Sequence, residues 1–227
     1  MLIDLSHIIE DGMVTYKGLP GPHICDFWTR EQSASLYEDG ATFQIGRIDM
    51  VANTGTYLDA PFHRYEDGAD LAQLNLAQLA ALPGLVVRSG ALSIDADAFV
   101  GLDVDGKAVL VHTGCDRFWR TPAYYENHPF LTEAAAQLLA ARGAVLVGID
   151  SHNIDDTRAP RRPVHSTLLG AGVLICEHLT NLRALPDGGF RFSAVPPKVS
   201  GMGTFPVRAF AEAECPHEAG PPSLRLE

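Results

Sequence analysis

Cysteine, basic residues and long apolar runs are all scarce in this chain of 227 residues. The four cysteines, Cys25, Cys115, Cys176 and Cys215, are far apart and form no CxxC pair. Neither a disulfide framework nor a structural zinc site is therefore indicated. No stretch approaches the length of a membrane span, and no basic region precedes a long apolar run at the N-terminus. We expect a cytoplasmic protein with reduced cysteines and no membrane partner.

Charged residues are mostly acidic, with 17 lysines and arginines against 28 aspartates and glutamates, and the net charge is −11 at pH 7. Nucleic-acid binding needs clustered basic residues and is not indicated, whereas a local site can still take an anionic small molecule. The chain has no Gly-x-Ser-x-Gly elbow, phosphate loop or dinucleotide fingerprint. A serine hydrolase and a nucleotide cofactor are therefore disfavoured.

Hydrophobic residues make up 46% of the chain and charged residues 20%, which is sufficient for a full core. We predict a single domain over residues 1–227. The clearest helix is 132–142, with a threonine at its N-cap, and it lies between apolar strands at 108–112 and 144–150. A further short helix is predicted at 71–82, with a break near Asn75 as the alternative. Because strands outnumber helices, the predicted fold class is α/β with one dominant sheet.

The segment of residues 53–64 alternates polar and largely apolar side chains at the period of a β-strand. Gly55 and Pro61 argue against a helix there. Asp59 and His63 are expected to project from one face, where the strand runs into a turn. Such a pair can bind a metal or exchange protons. The alternative is a turn aspartate beside an ordinary surface or core histidine.

His165 lies in a predicted short helix, and Glu177 ends an apolar strand, where open α/β sheets keep their sites. With Asp59 and His63, these residues would form a mixed set of carboxylates and imidazoles. Such sets bind Zn²⁺ or Mn²⁺ and activate water. The structural alternatives are a helix-capping role for His165 and a solvated edge-strand carboxylate for Glu177.

Four segments occur in a recognisable order along the chain. They are Asp4-Leu5-Ser6-His7, Asp59-Ala60-Pro61-Phe62-His63, the stretch from His165 to Glu177, and Asn181-Leu182. In this arrangement the chain resembles the metal-dependent cyclase family, of the kynurenine formamidase and isatin hydrolase type. The resemblance implies a swivelling β/β/α fold with one dominant mixed sheet and few helices. It also implies a homodimer or homotetramer that hydrolyses an amide or lactam through one or two metal ions.

The family's signature is His-x-Gly-Thr-His-x-Asp-x-Pro-x-His, and this chain departs from it at two ligand positions. The matching residues are Gly55, Thr56, Asp59, Pro61 and His63. Asn53 and Tyr57 stand where the family has ligand histidines. The resemblance implies that one ligand set is lost, whereas the other, Asp59, His165 and Glu177, is intact. We therefore predict at most one divalent metal, Zn²⁺ or Mn²⁺, or an empty site in which Tyr57 donates a hydrogen bond.

The predicted reaction is the attack of metal-activated water on an amide, with His63 as general base or as a fourth ligand. Tyr57 is predicted to take part in catalysis, and Asn53, His152 and Trp28 to line the site. The resemblance implies N-formyl or lactam amides of aromatic amines as substrates, as in tryptophan catabolism.

A carboxylate-bearing substrate is also compatible with the sequence, because Arg64, Arg161 and Arg162 are each able to hold a carboxylate. Two alternatives belong to other functional classes. One is a metal-free protein that binds a small molecule. The other is a metal-free lyase or isomerase that uses Tyr57 and His63 as an acid–base pair.

Overall fold

A computed structural model describes residues 1–214. Three α-helices are present in this part of the chain: α1 (Arg30–Ser33), α2 (Glu133–Ala141) and α3 (Pro163–Gly170). The strands are β1 (Leu2–Asp4), β2 (His23–Trp28), β3 (Ile45–Asp49), β4 (Tyr57–Asp59), β5 (Leu82–Arg88), β6 (Ser93–Ile94), β7 (Ala108–His112), β8 (Phe130–Leu131), β9 (Leu146–Ile149), β10 (Leu174–Glu177), β11 (Gly188–Ser193), β12 (Thr204–Pro206) and β13 (Phe210–Ala213).

Nine of these strands form one mixed sheet in the order β1-β13-β11-β5-β7-β9-β10-β4-β12. The central four, β5, β7, β9 and β10, run parallel, whereas the strands on either side pair antiparallel. The central strands are the apolar runs of the sequence. All four residues of β9 and of β10 are buried, as expected for strands that are covered on both faces.

Each face of the sheet contributes to its own hydrophobic cluster. Leu110 and Leu146 belong to one cluster, whereas their sequence neighbours Val109 and Val147 belong to the other. This division follows from the alternation of side chains along a strand. The second cluster also contains Leu139 of α2, so that this helix covers one face of the sheet.

The sequence predicted α2 well but failed for residues 71–82. The side chain of Thr132 accepts a hydrogen bond from the Ala135 amide and caps α2 as expected. Within residues 71–82 the only helical element is a short 3₁₀ turn at Leu76–Gln78, so the continuous helix is wrong, whereas the alternative of a break near Asn75 agrees with the structure. The Asn75 side chain accepts a hydrogen bond from the Ala77 amide and starts a new turn there, and the segment ends in β5.

Strands β2 and β3 form a separate two-stranded sheet whose residues are almost all exposed. Trp28 lies at its end, is 38% exposed and packs against Phe43. Within the described residues, Cys25, Cys115 and Cys176 are free thiols, and Cys215 lies outside those residues. No helix in residues 1–214 is both long and apolar enough to cross a membrane.

Candidate metal centre

The pairing of β4 with β10 brings two distant segments of the chain together. The two strands are antiparallel, with Tyr57 opposite Glu177 and Asp59 opposite Ile175. Directly opposed residues project to the same side of a sheet, so Tyr57, Asp59 and Glu177 share one face. Leu58, between them, points the other way into the core. Of the residues 53–64 that the sequence predicts to alternate, only Tyr57–Asp59 form a strand, and Pro61–His63 form a 3₁₀ turn.

A turn and a helix add two imidazoles to this face. His63 ends the 3₁₀ turn Pro61–His63 that follows β4, and His165 lies in α3. One possible ligand atom from each of Asp59, His63 and His165 lies within 4.8 Å of those from the other two. Asp59 is the common partner: its Oδ1 is 3.7 Å from His63 Nδ1, and its Oδ2 is 3.7 Å from His165 Nε2.

Asp155 fixes the orientation of the His165 ring. Its carboxylate accepts hydrogen bonds from the amides of Val164 and His165, and its Oδ2 lies 2.6 Å from His165 Nδ1. Since a carboxylate can only accept, Nδ1 carries a proton, and Nε2 is directed towards Asp59 and Glu177. A histidine held from behind by a carboxylate is the usual arrangement of a metal ligand.

Thr204 of β12 orients His63 in a similar way. Its hydroxyl donates to Asp59 Oδ1 and lies 2.8 Å from His63 Nδ1. Because the single hydroxyl proton goes to the carboxylate, Nδ1–H of His63 must donate to Thr204. His63 Nε2 therefore carries a free lone pair that can bind a metal or accept a proton.

Negative charge is concentrated around His165. Asp155, Asp59 and Glu177 are all nearly inaccessible to solvent, and the latter two each have an oxygen 3.7 Å from His165 Nε2. In residues 1–214, histidines are the only cationic side chains paired with these carboxylates. Burial lowers the pKa of His165, but the hydrogen bond to Asp155 and the nearby carboxylates of Asp59 and Glu177 outweigh it and raise that pKa to about 10.

Tyr57 is tied to Glu177 and does not join the metal-binding cluster. Its hydroxyl donates to Glu177 Oε2 at 2.5 Å, while the amide of Ile154 donates to Glu177 Oε1 at 2.6 Å. Burial, together with the charges of Glu177 and Asp59, holds the pKa of Tyr57 well above its ordinary value. The side chain is therefore a neutral phenol, poorly suited to bind metal or to act as a base.

Behind Tyr57 lies a wall of imidazoles and aromatic rings. The His178 ring is 5.1 Å from that of Tyr57, and its neighbours include His152 at 5.8 Å and Trp119 at 5.4 Å. Burial lowers the pKa of His152 to about 3 and that of His178 well below its usual value. These rings are uncharged at neutral pH and do not offset the carboxylates of the site.

A cavity of about 240 Å³ opens onto these groups. Its lining residues are Tyr16, Leu19, Asn53, Tyr57, His63, Arg64, Asn153, Arg162, His165 and Glu177. Asn53 is one of these lining residues. His152 and Trp28 are not among the lining residues, against our prediction. His152 packs in the second layer against Tyr16, and Trp28 lies on the exposed sheet of β2 and β3.

The donor set fits a divalent metal. It combines one carboxylate with two imidazoles whose other nitrogens are already engaged, a combination that zinc and manganese accept. Asp59 Oδ2 is buried and has no hydrogen-bond partner among the described residues. A buried carboxylate oxygen without a donor is unfavourable, and a bound cation would satisfy it.

Comparisons with known proteins show which family the chain resembles in sequence. The family model Cyclase matches residues 3–156. Kynurenine formamidase of Geobacillus thermodenitrificans is 27% identical over 209 residues, which cover 91% of this chain and 95% of that protein. Kynurenine formamidase of Bacillus cereus is 25% identical over 208 residues, with the same coverage.

Solved structures extend the likeness to the fold. A potential metal-dependent hydrolase with cyclase activity superposes with a TM-score of 0.77 at 30% identity, covering 95% of this chain and 99% of that one. Isatin hydrolase A from Labrenzia aggregata has a TM-score of 0.79 at 20% identity, covering 94% and 93%. The predicted fold, with one dominant mixed sheet and few helices, is confirmed. Since the family match spans more than half of the 227 residues, the chain belongs to the Cyclase family.

Proposed function

We propose that this protein is a metal-dependent hydrolase of carbon–nitrogen bonds outside peptides, acting on formamides or lactams of aromatic amines. The observation that carries the proposal is the charge of the site. Asp59 and Glu177 are buried and face the same nitrogen of His165 at 3.7 Å. A divalent cation would compensate them, as in hydrolases that activate water. The relatives named kynurenine formamidase support the amide substrate.

Asp59, His63 and His165 would hold the metal, either Zn²⁺ or Mn²⁺. When bound, it would supply a Lewis acid that activates water and polarises a carbonyl oxygen. Asp155 and Thr204 engage Nδ1 of the two imidazoles, so that Nε2 of each would ligate the metal, with His165 losing its proton on binding. This assignment differs from our sequence prediction, which placed Glu177 on the metal, because Glu177 is outside the cluster of mutually close ligand atoms.

Glu177 is the proposed general base. It lines the cavity, and burial raises its pKa above the ordinary range despite the opposing charge of His165. A carboxylate in that state accepts a proton from attacking water and returns it to the leaving nitrogen near neutral pH. Hydrogen bonds from Tyr57 and Ile154 fix its two oxygens. In this mechanism, Tyr57 is a positioning residue rather than an acid or a base.

The proposal is tested by offering the metal-loaded protein a set of aryl formamides and lactams, isatin among them, and measuring release of formate or ring opening. Metal-dependent turnover of at least one class is expected. Turnover of none would contradict the proposal. In that case, the remaining candidate function is that of a metal-free protein that binds a small molecule. The metal-free lyase or isomerase is disfavoured in either case, because the Tyr57 proton is committed to Glu177.

Tyr57→Phe separates a positioning role from a catalytic one. We expect kcat to fall by about tenfold or less, because the substitution removes one hydrogen bond to Glu177 and leaves the metal set unchanged. Metal content and kcat are measured together. A loss of kcat beyond about a thousandfold with full metal content would instead make Tyr57 a catalytic residue.

We also propose that the protein is a homodimer or homotetramer. The sheet of β2 and β3 exposes Ile24, Phe27, Trp28, Ile45 and Ile48 by between 37% and 60% each. Clustered apolar side chains of this kind favour association.

Light scattering on purified protein is expected to give the mass of two or four chains. The double variant Phe27→Lys/Ile48→Lys is expected to lower the mass. Leu76→Lys, at a side chain that is 65% exposed outside this sheet, serves as control. A monomer in the unmodified protein would contradict the proposal.

A further inference from the structure

Two arginines line the cavity beside the proposed metal ligands. Arg64 directly follows His63, and Arg162 precedes His165 by three residues at the start of α3. Each guanidinium is therefore carried by the same local element as an imidazole of the site. Arg161, next to Arg162, is exposed and is not among the lining residues. From the sequence, all three arginines have the same possible role, whereas the structure places only Arg64 and Arg162 in the lining of the cavity.

Both arginine side chains are held by hydrogen bonds that use only some of their N–H groups. Arg64 Nε donates to Ser166 Oγ at 3.0 Å. Arg162 uses Nη1 alone, which donates to backbone carbonyls, including that of Arg161 at 2.9 Å. Within residues 1–214, the Nη atoms of Arg64 and the Nε and Nη2 of Arg162 donate no hydrogen bond. A guanidinium group that is held in place and keeps free N–H groups is suited to bind a planar anion such as a carboxylate.

Neither arginine is neutralised by the protein. Among the described residues, Arg64 and Arg162 form no ion pair, whereas Arg158 close by forms two hydrogen bonds with the carboxylate of Asp156. The carboxylates of Asp59 and Glu177 would otherwise repel an anion from the cavity. Two unpaired guanidinium groups in the lining of the cavity would attract an anion and so offset this repulsion locally.

We infer that Arg64 and Arg162 bind a carboxylate carried by the substrate, so that the substrates are anionic aryl amides. The inference rests on the hydrolase function proposed above and narrows its substrate class. A cavity of about 240 Å³ admits one small molecule, and the arginines lie on its wall next to both metal-ligating histidines. The carboxylate therefore orients the amide towards Glu177 and discriminates against neutral amides of the same size.

The test compares formamidobenzoates, substituted ortho, meta or para, with their neutral primary carboxamides. The proteins are the unmodified chain, Arg64→Gln/Arg162→Gln and the control Arg161→Gln. We expect the unmodified protein to favour at least one benzoate by about tenfold or more in kcat/KM. The double variant is expected to lose this preference through KM, with its activity on carboxamides within about threefold. The control should stay within about twofold of the unmodified protein.

Equal kcat/KM for the charged and neutral substrates in the unmodified protein would overturn the inference. An equal loss on both substrates in the double variant would do the same, because it would indicate a structural role. Inhibition by added formate is measured in the same assays. If this inhibition disappears in the double variant while the preference for benzoates stays, the arginines bind the product anion, and the substrate inference is wrong.

Failure of the proposed function is recognised separately. If the unmodified protein hydrolyses none of the compounds, benzoate and benzamide are titrated calorimetrically. Tighter binding of benzoate, by about tenfold and only when the two arginines are present, would support the carboxylate site without the hydrolase. Equal binding of the two compounds would overturn the site.

Discussion

Glu177→Gln is expected to lower kcat by about 10²–10⁴-fold while the protein keeps its metal. Glutamine has the same shape and can still accept the hydrogen bond that the Ile154 amide donates to Oε1. It cannot take a proton from water, so the chemical step loses its base. The proposed ligands Asp59, His63 and His165 are untouched. The measurements are kcat for an aryl formamide and bound metal by elemental analysis.

The control for this variant is Glu133→Gln, at an exposed carboxylate in the first turn of α2. It changes the net charge by the same amount and should leave both quantities unchanged. If Glu177→Gln loses metal and activity together, and excess metal restores both, Glu177 is a ligand as the sequence first suggested. In that case, the assignment of Glu177 as the general base is wrong.

Asp59→Asn is expected to weaken metal binding by more than about 100-fold. Loss of an outer partner of a ligand already costs about 10–100-fold, and Asp59 is a direct ligand in our account. Its two oxygens face the two imidazoles at 3.7 Å each. Asparagine keeps one oxygen, is neutral and directs an N–H₂ group into the site. Metal affinity is measured by competition with a chromogenic chelator.

Asp155→Asn provides the matched comparison, because Asp155 contacts His165 and lies outside the cluster of Asp59, His63 and His165. We expect a loss within about 10–100-fold there, smaller than at Asp59. Thermal unfolding of both variants shows whether the fold is intact. Stoichiometric metal bound by folded Asp59→Asn at unchanged affinity would contradict the proposed centre.

The alternation of residues 53–64 is sufficient to place Tyr57 and Asp59 on one face, because strand period is a local property. The apolar runs of β7, β9 and β10 likewise predict buried parallel strands from local sequence. Pairing of β4 with β10 joins segments more than 100 residues apart. No local pattern encodes that register, so the convergence of Asp59 and Glu177 was only a hypothesis, based on their positions at strand ends and on the resemblance.

Sequence reasoning missed the residues that orient the imidazoles. Asp155 follows β9 among other polar residues, ten positions before His165, and that clustering was a usable signal. The sequence around Thr204 contains no such signal, because Thr204 contacts Asp59 and His63 only through the pairing of β12 with β4. The helix predicted at 71–82 failed for the opposite reason: side-chain caps at Asp70 and Asn75 override the apolar spacing.

The role of Tyr57 also depended on tertiary structure. The sequence shows only that a phenol replaces a ligand histidine of the family signature. Its hydroxyl could have bound metal, moved a proton or donated a hydrogen bond. Glu177, directly opposite on β10, selects the third of these.

The central claim is that one divalent metal, held by Asp59, His63 and His165, is required for hydrolysis. The most direct measurement titrates metal-free protein with Zn²⁺ or Mn²⁺ and follows bound metal and amide hydrolysis in the same samples. We predict that activity rises in proportion to bound metal and saturates at one equivalent per chain. Full hydrolytic activity in protein shown to be free of metal would contradict the account.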